Sequence, residues 1–335
     1  MSVCGDLRST RGGLLLLLCS LIVIPWLAGQ GRLQLQGLDY LELREVGAGL
    51  GMEAHAADGG DSLRLHSEWS ELVFRPGSRE AAFNGLRVFL GWPVREARGR
   101  LWIAESDYEH TVRPLLSPQT FAPFPTVRRI LLDPGHGGRD PGTSHPGLKL
   151  FEKHLTLDLA RRLARLLEEE GYEVVFTRED DRYVDLTERS LMAGRVDADL
   201  FLSLHFNAAG NDRVEGVETY VLPPLGQPSS ARTSLHASDR RLYRGNAHDP
   251  WNALLGYLVH RELTGLPRAQ DRGLRRARFT VLLGLDCPGI LLEGGFVTHD
   301  REGRDIGSAG YRQAMAEAIA AGVLAYARRT AASRP

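Results

Sequence analysis

The sequence predicts an α/β protein with two parts: a largely parallel, twisted sheet flanked by helices, and before it a smaller α+β domain. Three observations lead to this prediction. From residue 129 onward apolar strand-like runs alternate with helical stretches, before residue 118 short strands and turn signals predominate, and residues 118–127 between them are rich in proline. The length of 335 residues also exceeds what one compact domain usually needs.

The C-terminal part is predicted as a domain at 128–330. Its expected strands are 130–132, 172–176, 200–204, 216–222 and 289–292, and its expected helices are 155–169, 186–196, 251–263 and 311–328. In the first helix, Leu155, Leu159 and Leu163 recur at helical spacing, and Gly171 follows as a common C-terminal residue. Such alternation places a ligand site at the strand ends.

The N-terminal part, 34–117, is predicted as an accessory domain, with 118–127 as its linker. Alternating residues predict strands at 62–66 and 71–74, with turns at Pro76-Gly77 and Asn84-Gly85. The amphipathic stretch 40–50 is loosely repeated at 101–116. This organisation resembles the copper amine oxidase N-terminal-like domains that accompany many bacterial wall enzymes, and no residue in it has a catalytic pattern.

Residues 1–29 have the pattern of an export signal. Arg8 and Arg11 precede the apolar run 14–26, and the small pair Ala28-Gly29 follows. The run is shorter than the roughly 20 residues that a membrane span needs. We therefore expect an exported protein of the periplasm or cell envelope without stable membrane insertion, and an uncleaved anchor remains the alternative.

Charge and cysteine content restrict the remaining classes. The formal net charge of −1 argues against a nucleic-acid partner, which usually requires a basic excess. After removal of the signal, Cys287 is the only cysteine left, so the fold cannot rest on an intramolecular disulfide. A buried structural thiol is the expected state of Cys287.

Two histidines that each end an apolar strand-like run are the candidate centre of the site. His136 follows 130–135 and His205 follows 200–204, Glu152 lies between them at a helix start, and Glu293 ends the run 289–292. Two imidazoles and one carboxylate are a typical catalytic zinc set with a vacant fourth position, and a second carboxylate is then free to handle protons. Taken alone, each histidine and Glu152 also have a structural explanation.

Several motifs together resemble the zinc-dependent N-acetylmuramoyl-L-alanine amidases of the amidase_3 family. The matching segments are 132–142, 152–153, 177–178, 186–189, 198–208, 216–220 and 292–296. The resemblance implies one Zn²⁺ held by His136, Glu152 and His205, and Glu293 as the catalytic carboxylate. It also implies hydrolysis, by zinc-activated water, of the peptidoglycan amide between the lactyl group of N-acetylmuramic acid and L-alanine of the stem peptide.

Other residues and functions stay open at this stage. His145, His154 and His299 are rival ligands, and Asp199 and Asn207 are candidate partners of the second histidine. For Arg189 an ordinary helix ion pair is favoured over a contact with a substrate carboxylate. The alternative functions are a zinc peptidase or deacetylase acting on wall fragments, and a wall-binding module without catalysis.

Two features bear on substrate range and regulation. Phe206 stands where the family usually has alanine, and Thr298-His299 stand where it commonly has a small residue and asparagine. The polar segment 223–249 is predicted as a lid or a disordered insert. We expect peptidoglycan as the partner, and an envelope activator protein that moves this segment is a further hypothesis.

Overall fold

The structure, a computed structural model, describes residues 31–211 and 213–332, and the predicted export signal at 1–29 lies outside them. From Gly31 onward the chain forms one compact unit. Strands β1–β17 are Arg32–Leu35, Leu38–Glu42, Glu53–Ala57, Ser62–His66, Glu71–Phe74, Glu80–Phe83, Leu86–Phe89, Arg95–Ala97, Arg100–Ala104, Arg129–Pro134, Ser144–His145, Leu150–Phe151, Glu173–Phe176, Leu200–Asn207, Val217–Val221, Asp271–Arg276 and Gly289–Phe296.

Helices α1–α9 are Leu43–Gly49, Glu105–Asp107, Arg113–Leu116, Glu152–Glu169, Leu186–Arg195, Asp249–Thr264, Thr280–Leu283, Asp300–Gly307 and Ala309–Ala332. A π-helical turn, Tyr108–Val112, joins α2 to α3. Short 3₁₀ turns occur at Asp58–Gly60, Pro118–Thr120, Pro146–Leu148, Ala237–Arg240 and Arg244–His248. None of the helices in the described ranges combines the length and the apolar character of a membrane span.

Most of the described strands join one large sheet in the order β13-β10-β14-β17-β15-β16-β7-β6-β5-β4-β3. Strand β10 is parallel to β13 and β14, and β14 is parallel to β17. Strand β15 is antiparallel to β17, and the strands from β7 to β3 pair antiparallel with one another. The prediction of a mixed α/β fold with a large sheet flanked by helices is confirmed, and the parallel character is limited to part of the sheet.

Several elements extend beyond their predicted ends. Strands β14 and β17 continue past their apolar runs because their last residues still pair, His205 with Glu293 and Asn207 with Phe296. Helix α4 begins at Glu152, the residue expected at a helix start, whereas its apolar stripe begins only at Leu155. Hydrophobic periodicity registers apolar residues alone, so by itself it does not register the polar first turn.

The N-terminal segment 34–117 contributes strands to the large sheet. Strand β7 lies parallel to β16, and the backbone N–H of Arg87 donates to the carboxylate of Asp271 on β16 over 2.7 Å. This pairing covers a sheet edge that would otherwise expose unpaired backbone groups. The remaining N-terminal strands form a separate four-stranded sheet in the order β1-β2-β9-β8, and β11 and β12 form a two-stranded sheet. The expected division into 34–117, 118–127 and 128–330 therefore remains a prediction.

The two segments predicted as linker and insert are both packed. Phe121 and Phe124 set their rings edge-on against Trp251 of α6, with centroids 6.5 and 5.9 Å apart. In the segment 223–249, the buried carboxylate of Asp239 pairs with the guanidinium of Arg278. The alternative of a disordered insert at 223–249 is therefore wrong, because ion pairs and backbone hydrogen bonds hold this polar sequence.

A buried ion pair joins four elements beneath one edge of the sheet. The Asp133 carboxylate at the end of β10 accepts from Arg189 of α5 at 2.7 Å, from Thr177 after β13 at 2.6 Å and from Ser203 of β14 at 2.7 Å. Burial alone would raise the pKa of Asp133, but Arg189 and the two hydroxyls outweigh it and hold that pKa below its usual value. Arg189 also donates to the carbonyls of Pro134 and His136.

We expect Arg189→Ala to destabilise the protein by about 3–5 kcal/mol, because it leaves the buried Asp133 carboxylate without its cation. Arg195→Ala on the same helix is the matched control. Its ion pair with Glu188 is exposed to solvent, so its removal should cost far less stability. Urea unfolding followed by tryptophan fluorescence measures both variants, and equal losses of stability would contradict the role assigned to the buried pair.

Candidate functional site

The four residues singled out in the sequence line one cleft. His136 follows β10, His205 lies on β14, Glu293 lies on β17, and Glu152 opens α4. The cleft has a volume of about 400 Å³ and its lining includes all four side chains. A larger groove of about 470 Å³, beside the last turns of α9, contains none of them.

The turn that carries His136 has an unusual backbone. His136 has φ 62°, a left-handed conformation that non-glycine residues adopt rarely and that is found at functional sites. Gly135 before it has no room for a side chain, since a Cβ there would lie 2.2 Å from the ring of His205. The chain thus brings the two imidazole rings to a centroid separation of 4.9 Å.

Two cationic side chains, one buried and one half-buried, bind the carbonyl groups of this turn. The guanidinium of Arg178 donates to the carbonyls of Pro134 and Gly135 at 2.9 and 2.8 Å. Lys153 of α4 donates to the carbonyl of Gly138 at 3.0 Å and pairs with Asp181 at 2.6 Å. The turn is therefore fixed through its carbonyl groups before any ligand binds.

Glu152 contacts both histidines of the site. One carboxylate oxygen lies 3.0 Å from Nδ1 of His205 and accepts from the backbone N–H of Phe206 at 3.0 Å. The other oxygen lies 3.1 Å from Nε2 of His136 and accepts from the N–H of Thr143 at 2.8 Å. Burial alone would raise the pKa of Glu152, but its contacts with the two imidazoles lower that pKa to about 2. Glu152 is therefore a carboxylate at neutral pH.

The ring of His136 is oriented by a second carboxylate. Its Nδ1 lies 2.8 Å from Asp140, four residues further along the same turn. Burial alone would lower the pKa of His136, and the contacts with Glu152 and Asp140 raise it instead. Metal-binding histidines commonly direct their other ring nitrogen at a carboxylate in this way.

The donor set of this cluster fits zinc. The ligand atoms of His136, Glu152 and His205 all lie within 4.8 Å of one another, and the described part of the chain contains no other such group of three. Zinc bonds to imidazole nitrogen and carboxylate oxygen at about 2.0–2.2 Å, so one ion is within reach of all three. Three protein ligands leave the fourth position open, as in catalytic rather than structural sites.

Glu293 lies beside this cluster with an unsatisfied oxygen. It is the direct neighbour of His205 across β14 and β17, and its Oε2 is buried with no hydrogen-bond partner among the described residues. Burial, followed by the charges of Glu152 and Glu218, raises its pKa well above the usual value. An unpartnered carboxyl with a raised pKa in a cleft is a candidate proton carrier.

Glu218 lies opposite Glu293, and its carboxylate accepts hydrogen bonds whereas Oε2 of Glu293 has no hydrogen-bond partner among the described residues. The two residues pair directly across β15 and β17. Glu218 accepts from Tyr220 at 2.8 Å, from Asn207 at 3.0 Å and from Arg272 at 2.9 Å. Of the two neighbouring carboxylates, only Glu293 therefore remains available to a ligand.

The rival ligands are engaged elsewhere. His145 accepts from the N–H of Leu148 and contacts Asp300 at 3.1 Å, His154 packs on the ring of Phe151, and His299 caps α8. None of these three histidines is part of the donor group. The cleft lining does not include them either.

The suggested partners of the second histidine do not contact it. Asp199 accepts from the backbone N–H groups of Arg128 and Arg129 at the opposite end of β14, and Asn207 donates to Glu218. Phe206 is buried with its ring close to Gly294, and it belongs to the lining of the cleft.

Sequence reasoning missed the residues that hold the site together. Asp133, Arg178 and Arg189 are all buried, and Arg189 binds Asp133 and backbone carbonyls rather than a substrate carboxylate or a surface partner. A charged residue inside the apolar run 130–134 was the available signal for Asp133. Asp140 lay inside a recognised motif but had no assigned role.

One wall of the cleft consists of residues 278–281. The guanidinium of Arg278 binds the carbonyls of Gln227 and Pro224 as well as Asp239, so the segment 223–249 supports this wall from behind. No described residue of 223–249 lines the cleft itself. The segment does not act as a lid in this conformation.

Comparisons with known proteins agree on one family. The family model described as N-acetylmuramoyl-L-alanine amidase, Amidase_3, matches residues 130–325. The amidase AmiC of Neisseria meningitidis is 34% identical over 217 residues, which is 59% of this chain and 52% of that protein. AmiA of Escherichia coli is 30% identical over 221 residues, 59% of this chain and 76% of that protein.

Two solved structures are similar as well. The amidase AmiC2 of Nostoc punctiforme matches with a TM-score of 0.50 at 33% identity, over 60% of this chain and 98% of that one. An amidase of Clostridium difficile 630 matches with a TM-score of 0.50 at 32% identity, over 60% and 97%. The chain spans only about half the length of the Neisseria relative, 52%. The resemblance predicted from the motifs is confirmed: the chain belongs to the Amidase_3 family of N-acetylmuramoyl-L-alanine amidases.

Proposed function

We propose that this chain is a zinc-dependent peptidoglycan hydrolase. It cleaves the amide between the lactyl group of N-acetylmuramic acid and L-alanine of the stem peptide. The observation that carries the proposal is the group His136, Glu152 and His205 with the unpartnered carboxyl of Glu293 beside it in one cleft. Membership of an amidase family supplies the type of bond.

In this proposal the three clustered residues hold one Zn²⁺. When bound, zinc supplies a Lewis acid that polarises the scissile carbonyl and makes water a better nucleophile near neutral pH. His136 is kept in one orientation by Asp140, and Glu152 by the backbone N–H groups of Thr143 and Phe206. A donor set that is fixed in advance loses little free energy to reorganisation when it binds.

Glu293 moves the protons. Its carboxylate accepts a proton from the attacking water and then delivers that proton to the nitrogen of the departing L-alanine. The raised pKa of Glu293 makes it a stronger base toward the proton of the water, because a carboxylate with a higher pKa holds a proton more firmly. Glu218 supports this role, since its charge contributes to the raised pKa.

The setting of the enzyme is also proposed rather than observed. We infer export by the signal at 1–29 to the periplasm or cell envelope. The segment 34–117 would serve as a copper amine oxidase N-terminal-like accessory module. An envelope activator protein would act, if present, on the wall at 278–281 through the segment 223–249, which holds that wall by way of Arg278.

The test of the activity is digestion of purified peptidoglycan followed by mass spectrometry of the products. We expect free stem peptides that begin with L-alanine, and glycan strands whose N-acetylmuramic acid carries a free lactyl carboxylate. Release of acetate, or cleavage between two amino acids with the lactyl amide intact, would instead indicate a deacetylase or a peptidase. No release of any product despite binding to the wall would indicate a non-catalytic module.

We expect Glu293→Gln to lower kcat by about 10²–10⁴-fold, the usual contribution of a general acid–base group, while the zinc content stays unchanged. The amide keeps the size of the side chain and removes its titration. Glu173→Gln, at an exposed glutamate that begins β13, is the matched control and should retain full activity. Steady-state kinetics and metal analysis of the same preparations check both statements. Activity of the Glu293 variant within about threefold of the wild type would exclude Glu293 as the proton carrier.

A further inference from the structure

Arg139 occupies the tip of the turn that begins at His136. The turn is closed by two backbone hydrogen bonds between Gly137 and Asp140, of 2.9 and 3.1 Å, and Arg139 lies between them. It is only three residues from His136, so their Cα atoms are at most about 11 Å apart. A charged side chain is thus presented beside the candidate metal group.

The turn under Arg139 is fixed on the neighbouring loop. The N–H of Gly138 donates to Asp181 at 2.8 Å, and Lys153 binds both the carbonyl of Gly138 and Asp181. The guanidinium of Arg139 lies over the ring of Tyr183, 4.0 Å from its centroid. Stacking on an aromatic face restricts an arginine while its N–H groups stay in plane and available.

This cation has no anion assigned to it. Among the described residues no carboxylate lies within ion-pair distance of Arg139. The acidic groups around it are already engaged: Asp140 with His136 and the N–H of Gly142, and Asp181 with Lys153. An exposed guanidinium that is held in place without an internal partner is suited to bind an external anion.

Arg139 and Tyr183 are both close in sequence to residues that line the cleft. Leu186, three residues after Tyr183, is half exposed and belongs to the cleft lining. Arg139 and Tyr183 do not line the cleft themselves, but each is three residues along the chain from a residue that does, His136 and Leu186 respectively. A substrate that has its scissile bond at the metal group would come within reach of the Arg139 side chain within about three residues, since an extended chain advances about 3.3–3.6 Å per residue.

We propose that Arg139, stacked on Tyr183, forms a carboxylate-binding subsite for the stem-peptide residue that follows L-alanine. This inference rests on the proposed function and adds a substrate class to it: stem peptides whose second residue carries a free carboxylate are preferred over those in which it is a carboxamide. A planar guanidinium binds a carboxylate through two parallel hydrogen bonds, whereas a carboxamide offers one acceptor and no charge.

The test uses two muramyl tripeptides that differ only in a carboxylate or a carboxamide on the second residue. We expect the wild-type enzyme to hydrolyse the carboxylate form with a kcat/KM about ten-fold higher, mainly through KM, because the contact lies away from the scissile bond. In Arg139→Ala this ratio should fall to about one. The ratio is the readout because a loss of folding or of metal lowers both rates alike.

Arg182→Ala is the matched control. It removes an equal charge from the adjacent loop, but from an arginine that faces Asp180 and the carbonyl of Thr177. We expect this variant to keep the wild-type ratio. Equal rates of the wild type on both tripeptides, or an unchanged ratio in Arg139→Ala, would overturn the subsite.

A binding measurement separates this inference from the proposed function. Calorimetric titration of Glu293→Gln with each tripeptide should show about ten-fold tighter binding of the carboxylate form, and Arg139→Ala in that background should abolish the difference. Cleavage of neither tripeptide by the wild type would overturn the amidase activity. Equal affinity for the two tripeptides would overturn the subsite even if hydrolysis occurs.

Discussion

Asp133 places a buried carboxylate at the end of β10, and side chains from three other parts of the fold converge on it. Thr177 reaches it from the end of β13, Ser203 from β14 and Arg189 from α5. Arg189 then continues to the carbonyl of His136. A buried ion pair of this kind is costly to break, because removal of one partner leaves an uncompensated buried charge. Here it sets the relative position of the strands whose ends carry the two histidines.

The histidines and Glu152 in turn depend on close backbone approach. Gly135 leaves room for the His205 ring, and Gly142, with φ +66°, leaves room for the Glu152 carboxylate, which a Cβ there would approach to 2.5 Å. Both positions therefore require glycine for steric reasons. The carboxylate of Glu152 then faces both rings while Glu293 stays without a partner. Glu152, whose pKa is lowered, suits a ligand role, and Glu293, whose Oε2 has no hydrogen-bond partner among the described residues, suits proton transfer.

The sequence was sufficient for a mixed α/β fold with a large sheet flanked by helices, for the strands β10, β13, β14, β15 and β17 with the long helices α4, α5, α6 and α9, and for the residues that meet in the cleft. Apolar runs that end in His136, His205 and Glu293 carry this information locally, because strand ends of a parallel sheet share one edge. The partner of a buried charge is not local. Arg189 lies 56 residues from Asp133, and nothing in its helical context distinguishes it from a surface arginine.

The dependence on contacts between distant residues also explains why the place of the N-terminal strands in the large sheet was not predicted. The strands at 62–66 and 71–74 follow from alternation and occur as expected. Their membership of the large sheet depends on the contact between β7 and β16, and the sequence did not reveal β16 as a strand. The sequence of β16, Asp271–Arg276, shows little alternation of apolar and polar residues. Its arginines are instead bound within the fold, Arg275 to Glu218 and Arg276 to Thr111.

The central claim is that His136, Glu152 and His205 form one zinc site in the cleft beside Glu293. Anomalous diffraction recorded on both sides of the zinc absorption edge, from crystals of the zinc-loaded protein, tests it most directly. The account predicts one strong peak per chain within about 2.0–2.2 Å of a ring nitrogen of each histidine and of a Glu152 oxygen. A peak at other residues, or no peak in the cleft while the protein hydrolyses its substrate, would contradict the account.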